Sequence, residues 1–313
     1  MERALISTIT PCYRMGKYLR LFLQRLPEQT IFDRLEVVLD HNDPSAEEIG
    51  WVRDFQKQYP GRLKHLLIEP VDPIGVSMNR CIHESSADNL AIWNVDDLRT
   101  PDSLEQQAAL LARGQSDIAY GDFQRVRSFG ATKGDWLRHA GFSESELTRS
   151  MILGPFFMFR KELCKKAGFF DEQLRSGADF DLAIRLAMHG RASRTEASLG
   201  YYLNEELGAS TRPGSLQPVE RTVIELRYGI YDKIDYRLTA KAARYNIPNV
   251  LYQDQWLPIR QFVPDYDHLL DQRYNQWHRK GMGRFIRRAL IETVPFRNTA
   301  RRLKQRAAKW VSR

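Results

Sequence analysis

Two adjacent aspartates, Asp96 and Asp97, follow the apolar run "NLAIWNV" of residues 89–95. Carboxylates at the end of a buried strand suit a hard divalent cation such as Mg²⁺ or Mn²⁺. Such a cation takes one or two protein oxygens and otherwise binds water and phosphate. A second interpretation is that the two aspartates only begin a loop and place negative charge near the next helix N-terminus.

The elements that must position these aspartates are predicted from short apolar runs in the first 120 residues. These runs read as buried strands: "ALISTIT" (4–10), "LEVVL" (35–39), "LKHLLI" (63–68), "NLAIWNV" (89–95) and "DIAYGDF" (117–123). Helical patterns alternate with them, which predicts βαβ units and a mostly parallel sheet with helices on both faces. In such a sheet, ligands bind beyond the carboxyl ends of the strands.

Three helices have recognisable starts or faces. "SAEE" at 45–48 is a capping box. Thr100 is predicted to be an N-cap with Pro101 in the first turn. After residue 216, apolar residues from Val219 to Ile234 recur at helical spacing and predict one long helix.

Composition is that of a globular protein, with 42% apolar and 27% charged residues. The opening stretch "MERALISTITPCYRMG" holds too short an apolar run for a signal peptide or a membrane span. The three cysteines, Cys12, Cys81 and Cys164, lack metal or disulfide spacing, which favours a reducing compartment. We therefore expect a cytoplasmic protein.

The net charge of +8 belongs to a basic tail, residues 273–313. This tail holds 13 Lys and Arg residues against Glu292, a balance of +12, so the other 272 residues sum to 8 − 12 = −4. On a helical count Leu303, Ala307 and Trp310 share a face. A basic amphipathic helix with an aromatic residue is typical of binding to an anionic membrane surface, here the inner face of the cell membrane. A helix packed on its own domain and a solvated tail are the alternatives; nucleic acid is not favoured, because no recognition motif is present.

Four segments in order resemble the family 2 glycosyltransferases of the GT-A (Rossmann-like) fold. They are "STITPCYRMGKYLRLFLQRL", "LEVVLDHNDPSAEE", "GVSMNRCIHESSADNLAIWNVDDLRTPDSLE" and "KKAGFFDEQLRSGADFDLAIRL". The resemblance covers roughly residues 4–211. It implies a GT-A domain at 1–215, followed by a helical C-terminal region at 216–313 that ends in the basic tail. It also implies a hexosyltransferase-type enzyme that moves a sugar, with inversion, from a nucleotide-diphosphate donor to an acceptor hydroxyl.

The family's metal motif, an Asp-x-Asp-type cluster, falls on Asn94 to Asp97. The resemblance makes Asp96 the metal ligand, with Asp97 as its support, although Asn94 replaces the first acid. A bound cation would stabilise the charge that develops on the leaving diphosphate.

The nucleotide pocket of the family is built from the loop after the first strand and the end of the second strand. The resemblance assigns it to these residues of the chain: Thr10, Pro11, Tyr13, Arg14, Asp40, His41, Asn79 and Asp96. His41 replaces a usual acid, which leaves the identity of the base open, and Met78 replaces a usual Arg, which removes one expected phosphate contact. A UDP-sugar is the favoured donor, and a GDP-sugar is the alternative. His41 itself is interpreted as a packed or hydrogen-bonded histidine.

The catalytic base of the family matches Asp179 in "SGADFDLAIRL", with Ala178 in place of the usual Glu. The first turn of a helix favours a negative side chain, so we expect Asp179 to be ionised at neutral pH, with Asp181 on another side of the helix. The alternative role for Asp179 is helix capping. "ILGPFFMFR" (152–160) resembles the floor of the acceptor side, and residues 204–215, with Gly208, Arg212 and Gly214, resemble a lid.

Two other functions compete with this prediction. A sugar-1-phosphate nucleotidyltransferase would carry a Gly-rich phosphate loop, which "TPCYRMG" lacks. A non-catalytic nucleotide- or glycan-binding module on a degenerate GT-A fold would explain the departures at His41, Met78, Asn94 and Ala178. The leading expectation is a metal-dependent transferase of cell-surface polysaccharide or glycolipid assembly, with a glycan or lipid-linked acceptor.

Overall fold

The computed structural model describes residues 4–139, 141–205 and 213–279. Within these ranges the strands are β1 Ile6–Tyr13, β2 Leu35–Asn42, β3 Leu63–Ile68, β4 Asn89–Ile92, β5 Leu98–Arg99, β6 Ile118–Val126, β7 Asp135–Leu137, β8 Met158–Arg160, β9 Ala192–Leu203, β10 Asn249–Tyr252 and β11 Gln255–Pro258. The α-helices are α1 Gly16–Arg25, α2 Ala46–Gln58, α3 Ile74–Glu84, α4 Ser103–Ala112, α5 Glu144–Arg149, α6 Cys164–Ala167, α7 Ala178–Ala187, α8 Gln217–Arg227, α9 Thr239–Ala242 and α10 Tyr266–Arg279. Short 3₁₀ turns occupy Leu26–Glu28, Phe32–Arg34, Lys161–Leu163, Tyr236–Leu238 and Ile259–Gln261.

Strands β1 to β9 form one nine-stranded sheet in the described ranges, in the order β3-β2-β1-β4-β8-β6-β9-β5, with β7 beside β6. Strands β1, β2, β3, β4, β6 and β9 run in one direction, and β5, β7 and β8 run in the other. The predicted mostly parallel α/β sheet is therefore confirmed. Strands β10 and β11 form a separate antiparallel hairpin.

Two apolar clusters cover the two faces of the sheet, because neighbouring strand residues point to opposite sides. Ile6, Val37 and Ala91 pack against α1, α2 and α4 on one face. Ile9 and Val38 pack on the other face, in a cluster that also holds residues of α3, α7, α8 and α10. Residues after 215 thus share a core with the sheet.

Strand β1 is longer than predicted. Its parallel register with β2 continues to the pair Tyr13 and Asn42, so Pro11 and Tyr13 lie in the strand and not in a loop after it. Strand β4 is shorter than predicted and ends at Ile92, and the chain then bends toward Asp97. The capping box of α2 is confirmed, since Ser45 and Glu48 each accept from the other's backbone N–H.

Two helix predictions are wrong at one end. Helix α4 begins at Ser103, because Thr100 is bound to β9: its N–H donates to Leu199 O at 3.2 Å and its hydroxyl to Ser198 O at 2.8 Å. Helix α8 ends at Arg227, and Gly229 follows with φ +70°, a conformation that favours glycine and ends the helix. Ile230 and Ile234 are buried beyond it.

The floor segment at 152–160 is a turn followed by β8. Gly154 makes the turn with φ +66°, while Phe156, Phe157 and Phe159 are core residues. Most of the lid at 204–215, including Gly208 and Arg212, and most of the basic tail lie outside the described residues. Among the described helices, none is long and apolar enough to cross a membrane.

Candidate active site

A cavity of about 380 Å³ opens at the carboxyl ends of β1, β2 and β4. Its wall comes from the end of β1, the loop after β4, the turn before α7 and the end of β9. Of the residues predicted from the sequence, five line it: Pro11, Tyr13, Asp96, Asp97 and Asp179. Asp96 and Asp179 are far apart in the sequence, so their meeting here is a property of the fold.

Asp97 is fixed inside the wall by its own loop and by β9. Its Oδ1 accepts from Leu203 N at 3.2 Å, its Oδ2 from Asn94 Nδ2 at 3.3 Å, and its backbone O from Trp93 Nε1 at 3.0 Å. The residue is only 2% exposed. Burial and the charge of Asp96 raise the pKa of Asp97 well above its usual range.

Asp96 is half-buried and lines the same cavity. Burial raises its pKa, and the charge of Glu205 adds to that effect. Burial and mutual repulsion disfavour the ionised forms of these two neighbouring carboxylates. A bound divalent cation would relieve that repulsion. The described residues contain no group of three or more His, Cys, Asp or Glu side chains that would hold a metal alone.

Arg99 is a buried cation near this loop that the sequence did not single out. Its guanidinium donates to Ile92 O at 2.8 Å, Phe156 O at 3.0 Å and Gln107 Oε1 at 2.8 Å. It therefore ties the end of β4 to the floor segment. Burial lowers the pKa of Arg99 to about 9, and the charge of Asp97 opposes that shift.

Asp179 stands in the first turn of α7 and is half-buried. Its Oδ1 accepts from Phe180 N at 2.8 Å. Burial raises the pKa of Asp179, so desolvation outweighs the stabilising effect that the sequence predicts for a helix start. The carboxylate nevertheless faces the cavity, where it can accept a proton.

Asp181, two residues further on, points the other way and lies in the core. It pairs with Arg185 at 2.8 Å and Arg227 at 2.7 Å, and it accepts from Tyr228 Oη at 2.8 Å. Burial raises the pKa of Asp181, but the charges of Arg227 and Arg185 lower it to about 2. The two aspartates of "ADFD" thus have separate environments.

Asp40 lies behind the cavity wall and is fully buried. It accepts from Arg80 Nη1 at 2.6 Å and from Asn42 Nδ2 at 2.7 Å. Arg80 also pairs with Asp72, whose backbone N–H donates to Asn42 Oδ1 at 2.8 Å. Asn42 and Asp72 line the cavity and were not predicted, whereas Asp40 is not part of the described lining.

His41, also behind the wall, faces away from Asp40 because neighbouring strand residues alternate. Its Nδ1 lies 3.1 Å from His65 Nε2, and its Nε2 lies 3.8 Å from Glu48 Oε1. Burial lowers the pKa of His41. This is the packed, hydrogen-bonded histidine that the sequence predicts.

Three other predicted nucleotide residues are absent from the described lining. Thr10 is buried, with its hydroxyl 2.8 Å from that of Thr8. Asn79 donates to Phe170 O and accepts from Phe170 N, so it joins α3 to the segment before α7. The guanidinium of Arg14 lies over the Tyr13 ring, 5.0 Å from its centroid.

The cavity is acidic. In the described part of its lining the acids are Asp72, Asp96, Asp97, Asp179 and Glu205, and Arg175 is the single lysine, arginine or histidine. Two of these acids have cationic partners elsewhere, since Asp72 pairs with Arg80 and Glu205 with Lys17. A diphosphate would need added positive charge to enter, which fits a divalent cation at Asp96 and Asp97.

Comparison with solved structures places the fold among known proteins. The structure of S. aureus TarS 1-349 in complex with UDP has a TM-score of 0.59 and 16% identity, over 96% of this chain and 87% of that one. The same protein in complex with UDP-GlcNAc has a TM-score of 0.60 and 19% identity, over 94% and 82% of the two chains. At these identities the similarity shows the fold, which is of the GT-A type.

Comparison of the sequence with family profiles identifies the family of the chain. No curated protein matches the chain. The profile described as "Glycosyl transferase family 2" matches residues 7–168, from β1 to the end of α6 and more than half of the chain. The chain therefore belongs to glycosyl transferase family 2.

Proposed function

We propose that this chain is an inverting hexosyltransferase that moves a sugar from a nucleoside-diphosphate donor to an acceptor hydroxyl. The observation that carries the proposal is that Asp96 and Asp179 line one cavity at the carboxyl edge of the sheet. Asp96 is suited to hold a cation that would stabilise the leaving diphosphate, and Asp179 is suited to take the proton of an attacking hydroxyl.

The donor side of the cavity is the end of β1 together with Asn42 and Asp72. Tyr13, which is 39% exposed, offers an aromatic ring to a base. A uridine donor is favoured because the similar TarS structures hold UDP and UDP-GlcNAc. A GDP-sugar is the second candidate.

Asp96 and Asp97 are the residues that would hold Mg²⁺ or Mn²⁺, with Asp96 more available because both oxygens of Asp97 already accept protein hydrogen bonds. When bound, the cation supplies positive charge to the leaving diphosphate. The donor set fits, because a magnesium or manganese site on one or two carboxylates takes its other ligands from phosphate and water.

Asp179 acts as the general base. Its carboxylate takes the proton of the acceptor hydroxyl while that oxygen bonds to the anomeric carbon. The bond from the anomeric carbon to the diphosphate oxygen breaks on the opposite side, so the configuration inverts. Catalysis by a positioned base is worth roughly 10²–10⁴ in rate.

The charge of the basic tail supports one class of acceptor. A chain with +12 at residues 273–313 and −4 elsewhere is attracted to anionic lipid through one end. This supports a glycan or lipid-linked acceptor at the inner face of the membrane, in cell-surface polysaccharide or glycolipid assembly.

Calorimetric titration of UDP and GDP, each with and without Mn²⁺, tests the donor site. We expect one nucleotide to bind in a Mn²⁺-dependent way to the wild type and to lose that dependence in Asp96→Ala. Asp54→Ala, an exposed site on α2, is the matched control and should bind as the wild type does. Equal binding by wild type and Asp96→Ala would contradict the metal assignment.

A non-catalytic binding module on the same fold is the second candidate, favoured by Ala178 beside Asp179 where the family has Glu. Turnover separates the two. A module would bind the nucleotide and release no sugar from any UDP- or GDP-sugar, with or without an acceptor.

A further inference from the structure

Glu220, on the first turn of α8, is completely buried and holds a turn from another part of the chain. Its Oε2 accepts from the backbone N–H groups of Arg175 at 3.0 Å, Ser176 at 2.7 Å and Gly177 at 2.9 Å. Its Oε1 accepts from Arg175 N at 2.9 Å and from the Tyr245 hydroxyl at 3.0 Å. All of these partners donate hydrogen bonds. A carboxylate has acceptor oxygens and no donor, so it can satisfy all of them.

The turn at 175–177 leads directly into α7. Arg175, Ser176 and Asp179 all line the cavity. Gly177, the residue before α7, has no side chain to cap the helix, and its own N–H group at the helix start donates to Glu220. The turn also approaches α8 closely, since a Cβ on Gly177 would lie 3.0 Å from Ile224 Cδ1.

We propose that Glu220 is a positioning residue of the transfer reaction, which sets the place of Asp179 against the acceptor hydroxyl by holding residues 175–177. The inference rests on the proposed function of Asp179. A general base must lie about 2.6–3.2 Å from the proton it takes. A displacement of about 1 Å costs on the order of 100-fold in rate.

The donor side of the cavity does not depend on this contact. It is built by β1, β2 and the loop after β4, whereas within the described part of the chain Glu220 accepts hydrogen bonds from residues 175–177 and Tyr245. Loss of the carboxylate should therefore affect the acceptor and proton-transfer step and leave nucleotide binding alone. A role in global stability alone would not divide the effects in this way.

The test is Glu220→Gln, which replaces one acceptor oxygen with an NH₂ group that faces N–H donors. We expect kcat to fall about 10- to 100-fold, with the nucleotide Kd unchanged by calorimetry. Amide hydrogen exchange at 175–177 should become faster. Glu225→Gln is the matched control, because Glu225 is also buried on α8 but pairs with Arg221 on its own helix; it should keep the wild-type kcat.

Glu220→Asp is the second variant, used if Glu220→Gln does not fold. It keeps the charge but withdraws the carboxylate by one methylene, and we expect a smaller loss of kcat with the same unchanged nucleotide Kd. Wild-type kcat in a folded Glu220→Gln or Glu220→Asp variant would overturn the inference alone. Absence of turnover in the wild type, with every UDP- and GDP-sugar, would overturn the proposed function and this inference with it.

Discussion

Asp179 and Asp181 show at the scale of single residues how two similar side chains acquire different tasks. Asp181 is neutralised by two arginines and serves the core, while Asp179 has no salt bridge among the described residues and faces the cavity. Burial without a cationic partner raises the pKa of Asp179. A carboxylate with a raised pKa is a better proton acceptor than an exposed aspartate.

We predict that Asp179→Asn lowers kcat/KM about 10²- to 10⁴-fold at neutral pH, because the amide cannot take the proton. The raised pKa keeps Asp179 protonated up to a higher pH than an exposed aspartate. As the pH is lowered, the wild-type rate should therefore begin to fall while the pH is still above the usual pKa range of aspartate. Steady-state rates across pH, with melting temperature measured in parallel, check both effects.

Asp54→Asn, an exposed change on α2, is the control for the loss of one carboxylate and should leave the rate and its pH profile unchanged. A folded Asp179→Asn variant with more than about a tenth of the wild-type rate would remove Asp179 from the role of base.

At the scale of elements, a buried charge network joins helices α7 and α8. Arg227 pairs with Asp171 and Asp181 at 2.7 Å each, and all three are fully buried. It also donates to Ile247 O and Asn249 O, which fixes the segment that enters β10. The four charges of Asp171, Asp181, Arg185 and Arg227 balance, so removing one member leaves a buried charge without full compensation.

We predict that Arg227→Met lowers the free energy of unfolding by about 3–5 kcal/mol, because Asp171 loses its buried arginine and Asp181 loses one of its two. Urea denaturation monitored by fluorescence measures this change.

Arg237→Met is the control, since Arg237 is 87% exposed in its pair with Asp235, and it should unfold at the wild-type urea concentration. If Arg227→Met had the same urea denaturation midpoint as the wild type, the network would contribute little to stability.

Elements were predictable from the sequence where local pattern and burial agree. Strands β2 and β3 begin at Leu35 and Leu63, where the predicted apolar-rich segments begin, and the capping box of α2 is a contact within four residues. The start of α4 was not, because Thr100 bonds to β9 almost a hundred residues away. For the same reason the contacts of Arg80 with Asp40 and of Glu220 with residues 175–177 could not be predicted. The roles of Asp96 and Asp179 are predictions that come from the resemblance to the family motifs.

At the scale of the whole molecule, charge is distributed unevenly along the chain. The cavity wall is acidic in the described residues, the chain before residue 273 sums to −4, and the basic tail carries +12. Part of this tail, up to Arg279, belongs to α10, where Tyr274 and Trp277 pack into the core. The tail therefore begins on a helix that packs one apolar face into the core.

We predict that the full chain binds vesicles of mixed phosphatidylserine and phosphatidylcholine. Replacing Arg301, Arg302, Lys304, Arg306 and Lys309 by Gln should weaken binding more than about 100-fold, at about 1 kcal/mol per charge near the surface. Co-sedimentation at low salt measures the affinity.

Vesicles of pure phosphatidylcholine are the control and should bind neither protein. Equal sedimentation of wild type and variant with anionic vesicles would assign membrane attraction to another surface.

The late position of Glu220 and Arg227 in the sequence means that the core beneath the sheet is completed late in synthesis. The ribosome releases β1 to β9 first, and domains generally fold as units. Because α8 and α10 share a core with the sheet, one apolar face of the sheet stays partly uncovered until they emerge. Until then Asp181 lacks Arg227, and the turn at 175–177 lacks Glu220. We expect a chain that ends before residue 217 to expose part of that apolar face and to transfer no sugar, so the site forms only after the residues that follow the sheet have been made.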